Sequence, residues 1–303
     1  MRQARSTVEG AFLAALTVIF YLSSIYIPVL GFLLSFLCPL PIMFLTIRWD
    51  MKAGLLAALV ASFIVFIFAG AISALTCFVG FTFLGLIMGL TIKRGYNFIE
   101  VIGINTLVSI SSKLLLIGLV FLIMGQNPLS ETLSFLEEGL KKGLSFFPQE
   151  GGGIDVEMIA SFIHMVLPAA VFIASLFDTV LNFILGSWIG KRLDIKFPPF
   201  PPFENLQLPR SIFWAFALGW LFVLFGGATF WGKIGLNLRM VTQVLFLVQG
   251  ASVVYYFLGK YIRSRFWLTI IVVFVALQPL LSTILSWVGV FDFCFDLRKI
   301  RGK

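Results

Sequence analysis

Long, uniformly apolar runs alternate along this chain with short clusters of charged residues, and nine such runs can be marked out. The clearest are residues 53–69, 71–92, 212–230, 241–258 and 266–288. About 20 apolar residues at ~1.5 Å rise each suffice to cross the hydrocarbon core of a bilayer. Inside lipid every backbone polar group needs a partner within the protein, so only helices and closed barrels span. A barrel would carry alternating segments of ~10 residues, and these runs are longer and do not alternate. The pattern predicts an all-α polytopic membrane protein.

Proline, glycine and charge punctuate the runs. The first helix is expected over about residues 7–26, ending before Pro28. Arg2 and Arg5 before it resemble a signal-peptide start, but no small-residue cleavage site follows, so the segment reads as an uncleaved helix. The second, about 30–47, carries Pro39 and Pro41 at membrane depth. The third and fourth separate near Gly70 and end at Lys93 and Arg94. The fifth runs over about 98–124. The polar stretch 125–155 follows, in which Leu133, Leu136, Leu140 and Leu144 recur at helical spacing, as an interfacial helix or a packed lid would. The sixth, about 156–190, would be ~50 Å long and is expected to project or bend at Pro168. The Pro-rich stretch 197–203 (FPPFPPF) cannot be helical and reads as a stiff connector before three more segments.

Composition agrees with the pattern: 60% hydrophobic and 12% charged residues, with a mean hydropathy of +1.04. The net charge of +8 gathers at helix ends, which argues for membrane orientation and against nucleic acid. With the N-terminus cytoplasmic, the inner side collects Arg2, Arg5, Arg48, Lys52, Lys93, Arg94, Lys191, Arg192 and Lys196, among others. Lys141, Lys142, Lys233 and Arg239 fall outside. Arg298, Lys299, Arg301 and Lys303 then conflict with nine crossings, unless one segment is re-entrant and only eight cross. Pro279 makes the last segment the suspect, although nine is the favoured count.

Candidate chemistry is sparse. No phosphate loop, zinc-protease or nucleophile-elbow motif is present, and neither an enzymatic activity nor a cofactor is expected. Cys38, Cys77 and Cys294 lie far apart, without metal or disulfide spacing. His164 stands alone and reads as an interfacial histidine. Intramembrane polar residues are more informative, because ionisable groups there are costly. Lys113 follows Ser111 and Ser112 in the fifth segment, and Asp178 precedes Asn182 in the sixth. Both lie ~20 Å from the inner end, so a pair between them serves structure or function equally well. Pro39 and Pro41 remove two backbone donors, as at a cavity wall or a simple kink. Asn105, Lys113, Asp178, Asn182, Pro39 and Pro41 are therefore the candidate ligand-site residues. A Lys113 not fully neutralised would favour an anionic ligand. Near the end, Asp292, Asp296 and Arg298 among aromatic residues form either a polar site or helix-end charges.

Several of these residues also carry a family resemblance. The runs 9–16 (EGAFLAAL), 27–31 (IPVLG), 39–41 (PLP), 48–54 (RWDMKAG) and 291–298 (FDFCFDLR) resemble the YybS-like family of uncharacterised bacterial membrane proteins. The first six helices further resemble the S components of energy-coupling-factor vitamin transporters, in which an Ala-x-x-x-Ala face on the first helix docks a transmembrane coupling subunit. The matching positions here are Ala11 and Ala15. The resemblance implies an S-component-like six-helix bundle over residues 1–196, a cytoplasmic Pro-rich linker over 197–209 and a three-helix unit over 210–303. It further implies a small-molecule binding or uptake role in the bacterial plasma membrane, the alternative being a membrane scaffold or regulator.

Overall fold

The computed structural model describes residues 2–27, 30–125, 134–135, 138–139, 142–143, 156–227 and 229–299. The expected helix through Leu133 and Leu144, and Pro28 in the first turn, lie outside these. The regular elements among the described residues are all helices, with no strand. Chain contacts divide them into two compact units, one comprising residues 1–160 and 174–199, the other 161–173 and 200–303. The boundary differs from the expected one in assigning part of the long helix 156–192 to the second unit.

In the first unit, α1 (Arg2–Tyr26) is followed by α2 (Leu30–Ser35) and α3 (Pro39–Arg48). The break between α2 and α3 falls where the sequence places it. Pro39 and Pro41 cannot donate backbone hydrogen bonds, and Leu40 N–H turns to the Leu37 carbonyl (3.1 Å). Residues 39–46 are all buried, so α3 is the central helix of this unit. Its end is tied to the start of α1, where Trp49 Nε1 donates to Glu9 (2.8 Å) and Arg48 pairs with the same carboxylate (3.6 Å).

Met51–Lys93 is a helical stretch of 43 residues, ~64 Å if straight. It comprises α4 (Met51–Leu75), a π-helical turn (Thr76–Thr82) and α5 (Phe83–Lys93). It is not straight. Gly70 adopts φ 82° and ψ 178°, a conformation essentially confined to glycine. The chain reverses there: Leu86 packs at Gly54, and the two are equidistant along the chain from Gly70. Thr46 of α3 touches both Gly54 and Gly89. The expected separation of the third and fourth segments is thus a hairpin made without a loop. Asp50 caps the start of α4 by accepting from Ala53 N–H (2.7 Å). A capping box of Asn97 and Glu100 starts α6 (Phe98–Met124).

The long helix α7 (Val156–Arg192) contains Pro168. In the second unit, Asn237 inserts into the opened backbone ladder beside that proline. Its Oδ1 accepts from Ala169 N–H (2.9 Å) and its Nδ2 donates to the Met165 carbonyl (2.8 Å), replacing the bond those two groups would make with each other. The Pro-rich connector is anchored by its aromatic residues. Phe197 packs under Gly186 and Gly190 of the first unit, and Phe203 stacks edge-on against Tyr255 of the second (5.5 Å).

The second unit continues with α8 (Arg210–Gly226), α9 (Phe230–Leu258), α10 (Arg265–Leu277) and α11 (Pro279–Phe295). The expected single last segment is two helices bent by 104°. Pro279 cannot continue the preceding helix, and Gln278 before it is extended. Leu268 of α10 lies at Gly259, beyond the end of α9. α11 runs parallel to α9, because Ser286 bonds the Gln243 carbonyl (3.2 Å) while Asp292 accepts from Gln249 (3.0 Å). Beyond it, Arg298 meets Ser252 (2.6 Å). The pair α10–α11 therefore begins and ends at the same end of α9, an arrangement that fits the eight-crossing alternative with a re-entrant last segment. Single cysteines placed by Lys299→Cys and Glu204→Cys, in a background lacking Cys38, Cys77 and Cys294, should be labelled from the same membrane face. Labelling from opposite faces would overturn the re-entrant arrangement.

Among the described residues, six helical stretches are long and apolar enough to cross a bilayer, and the bent pair makes a seventh candidate. Large apolar side chains such as Phe225 and Leu280 are more than four-fifths exposed, which suits lipid and no aqueous surface. The polytopic all-α class holds.

Candidate functional site

The most polar interior of the first unit lies where α6 and α7 bring their intramembrane charges together. Lys113 Nζ stands 2.6 Å from Asp178 Oδ2 and donates to Ser109 Oγ one turn back (2.7 Å). The matched depths read from sequence thus become a direct ion pair. Asn182, one turn beyond Asp178, donates to the Asp178 carbonyl (2.8 Å).

A cavity of about 180 Å³ opens beside this pair. One wall is the break between α2 and α3, through Ser35, Phe36 and Pro39. A second is the π-helical turn with the start of α5, through Gly80, Phe81 and Leu84, and the third is Asp178 with Asn182. A π-turn adds a residue to the helical circuit and is common at functional sites. Around the cavity and along α6 and α7, buried polar atoms lack hydrogen-bond partners: Thr106 Oγ1, Ser112 Oγ, Ser175 Oγ, Thr179 Oγ1 and Asn182 Oδ1. Buried polar groups are ordinarily paired; of these residues Asn182 lines the cavity itself.

The candidate residues separate in the structure. Pro39, Asp178 and Asn182 line the cavity, and Lys113 reaches it through Asp178. Pro41 is buried within α3. Asn105 is fully buried and bonds Thr91 of α5 (3.1 Å) and the Val101 carbonyl (2.8 Å), so it joins two helices away from the cavity. Ser35, Phe36 and the π-turn residues are wall positions that the sequence reading did not single out. An extra residue per turn leaves no periodic mark in a uniformly apolar stretch.

Lys113 is paired with Asp178, so the condition under which an anionic ligand is favoured, a Lys113 not fully neutralised, is not met by this geometry. The atoms left without partners beside the cavity are acceptors, Asp178 Oδ1 and Asn182 Oδ1. Replacing either Lys113 or Asp178 alone should cost about 2 kcal/mol, below the ~3–5 of a fully buried pair, because the two side chains are 32% and 28% exposed. Lys113→Met with Asp178→Leu should cost clearly less than either alone, measured by denaturant unfolding in micelles. A double variant as unstable as the worse single one would refute the pairing energetics.

A second concavity of about 390 Å³ is an open groove between α1 and α4. Gly10, Ala11 and Ala14 face Ala53, Leu56, Ala57 and Val60 across it. Ala11 and Ala15 are both exposed, while Ala14 is buried against the core.

Comparison with known proteins follows the same span of chain. A family model described as "Predicted membrane protein (DUF2232)" matches residues 15–293. The chain belongs to this family. A similar relative is the uncharacterized protein YybS of Bacillus subtilis (strain 168), 23% identical over 310 residues, covering 99% of each chain. No solved structure matches.

Proposed function

We propose that this DUF2232 member is a membrane-embedded binding component for a small polar solute, held in the first unit beside Asp178. What carries the reading is an intramembrane carboxylate with one oxygen paired and the other free, opening on a cavity at a helix break. Free acceptors on Asp178 and Asn182 select a solute that donates hydrogen bonds, such as a small amine or a polyol. At about 180 Å³ the cavity lies below the ~300 Å³ at which pockets for drug-sized ligands begin. A vitamin-sized cargo of the S-component kind does not fit without opening. The bacterial plasma membrane with a cytoplasmic N-terminus is the location this role implies.

The test is a thermal-shift screen of the full-length protein in nanodiscs against ethanolamine, methylammonium, glycerol and related small donors. A ligand at a hundredfold excess over its Kd adds about 2.7 kcal/mol to stability. That gain should vanish in Asp178→Asn. No stabilising compound, or equal stabilisation of the variant, overturns the proposal.

The alternative, a scaffold for another membrane protein, is supported by the groove of Ala11, Ala53 and Ala57. Small side chains let a partner helix approach closely in lipid. Ala11→Leu with Ala15→Leu should leave the protein folded and remove a co-purifying coupling subunit or other membrane partner. Unchanged co-purification argues against this role.

A further inference from the structure

We propose that the second unit holds a binding site for a carboxylate on a small apolar body, centred on Arg239. The sequence pattern places Arg239 in an outer loop, but it lies within α9. The backbone of Arg239 abuts Gly219, which sits near the middle of α8, so this cation is held at mid-depth in the α8–α9 hairpin. Charges at that depth are rare and are ordinarily paired or face a polar cavity. Among the described residues no carboxylate pairs with Arg239 and no acceptor takes its guanidinium hydrogens. The Trp220 ring stacks under it, its centroid 4.2 Å from the guanidinium carbon. That stacking attracts the charge but leaves the five N–H donors of the fork unused.

Beside it lies a cavity of about 180 Å³, lined by Arg239, Gln243, Ser286, Trp220, Phe216 and Trp287 among others. The Trp220 indole N–H, also buried, has no acceptor. An arginine fork without acceptors thus opens on an aromatic-walled space, in contrast to the acceptors beside the cavity in the first unit. A planar carboxylate takes two parallel hydrogen bonds from an arginine fork. The rings of Phe216 and Trp287 suit an apolar body and give a hydrated inorganic oxyanion little. Two sources supply such a group: a small organic acid, and the head of a free fatty acid entering from the bilayer.

The experiment titrates the full-length protein in nanodiscs with benzoate, palmitate, phosphate and the neutral analogue benzamide. Quenching of tryptophan fluorescence is followed alongside the melting temperature. Saturable quenching by benzoate or by palmitate, at least tenfold weaker in Arg239→Gln and not given by benzamide, supports the site. Which of the two acids binds names the source. If Arg239→Gln does not fold, Arg239→Lys takes its place: it keeps the charge, loses the fork and should bind the same acid several-fold more weakly. No response to either acid, a response to phosphate alone, equal binding of benzamide, or undiminished affinity in the folded variant overturns it.

Discussion

Arg298→Met is expected to destabilise the second unit by about 3–5 kcal/mol, the scale for a buried charge stripped of its partner. Arg298 and Asp292 have side chains 0% and 2% exposed, so water compensates neither. All five donors of the guanidinium are used. Nε and one terminal nitrogen hold the two Asp292 oxygens (3.3 and 2.8 Å). The terminal nitrogens also reach the carbonyls of Glu204 (2.6 Å) and Leu206 (2.7 Å) and Ser252 Oγ (2.6 Å). Gln249 closes the network, donating to Asp292 (3.0 Å) and accepting from Leu208 N–H (3.2 Å). Asp292→Leu should be as harmful as Arg298→Met. The double variant should recover a large part of the loss, because no charge is left buried, but not all of it, because two connector carbonyls stay unpaired. Denaturant unfolding measures the stability. Limited proteolysis gives a second readout, since freeing residues 203–208 should expose new cleavage sites there. A single variant within 1 kcal/mol of the parent, with an uncut connector, would refute this account.

Gly250→Ala and Gly289→Ala should both destabilise, against the sign that helix propensity sets. In an ordinary helix interior alanine is favoured over glycine by about 1 kcal/mol. Here α9 and α11 touch backbone to backbone. A Cβ on Gly250 would overlap the Leu285 carbonyl oxygen, and one on Gly289 the Phe246 carbonyl oxygen. Neither obstacle is the flexible end of a side chain, so the helices must separate. Leucine at either position should reach or exceed the ~1–3 kcal/mol typical of overpacking. Gly118→Ala serves as the control, because nothing lies within 4 Å of its Cβ position, and it should stabilise α6. Thermal unfolding of the three variants decides the matter: stabilisation at Gly250 or Gly289 would show that the crossing is looser than described.

Much of this was legible in the chain. Gly70 between two apolar runs marked the reversal, and Pro39 and Pro41 marked the helix break, because both act through local backbone constraints. Lys113 and Asp178 could be paired from depth alone, since a charge in lipid has few ways to be satisfied. Asn105 shows the limit of depth. It is as buried as Asn182, but it faces Thr91, and helix rotation cannot be read where hydrophobicity is uniform around the helix. Arg239 was misplaced because a charge near a predicted turn reads as a loop residue. α9 extends further than its apolar core, and Trp220 takes the place of solvent. The re-entrant pair was half visible. The excess of basic residues at the end of the chain conflicts with nine crossings, but only the contacts of Ser286, Asp292 and Arg298 resolve the conflict.

The insertion of Asn237 into the backbone of α7 also has a consequence for how the protein is made. Ala169 leaves the ribosome 68 residues before the side chain that completes its hydrogen bonding. At ~5–20 residues per second that interval lasts about 3–14 s. Throughout it Ala169 N–H and the Met165 carbonyl have only each other, or water, as partners, because lipid offers none. The middle of α7 is therefore a closed helical turn when it is made, and opens to take the Asn237 amide only once α9 arrives.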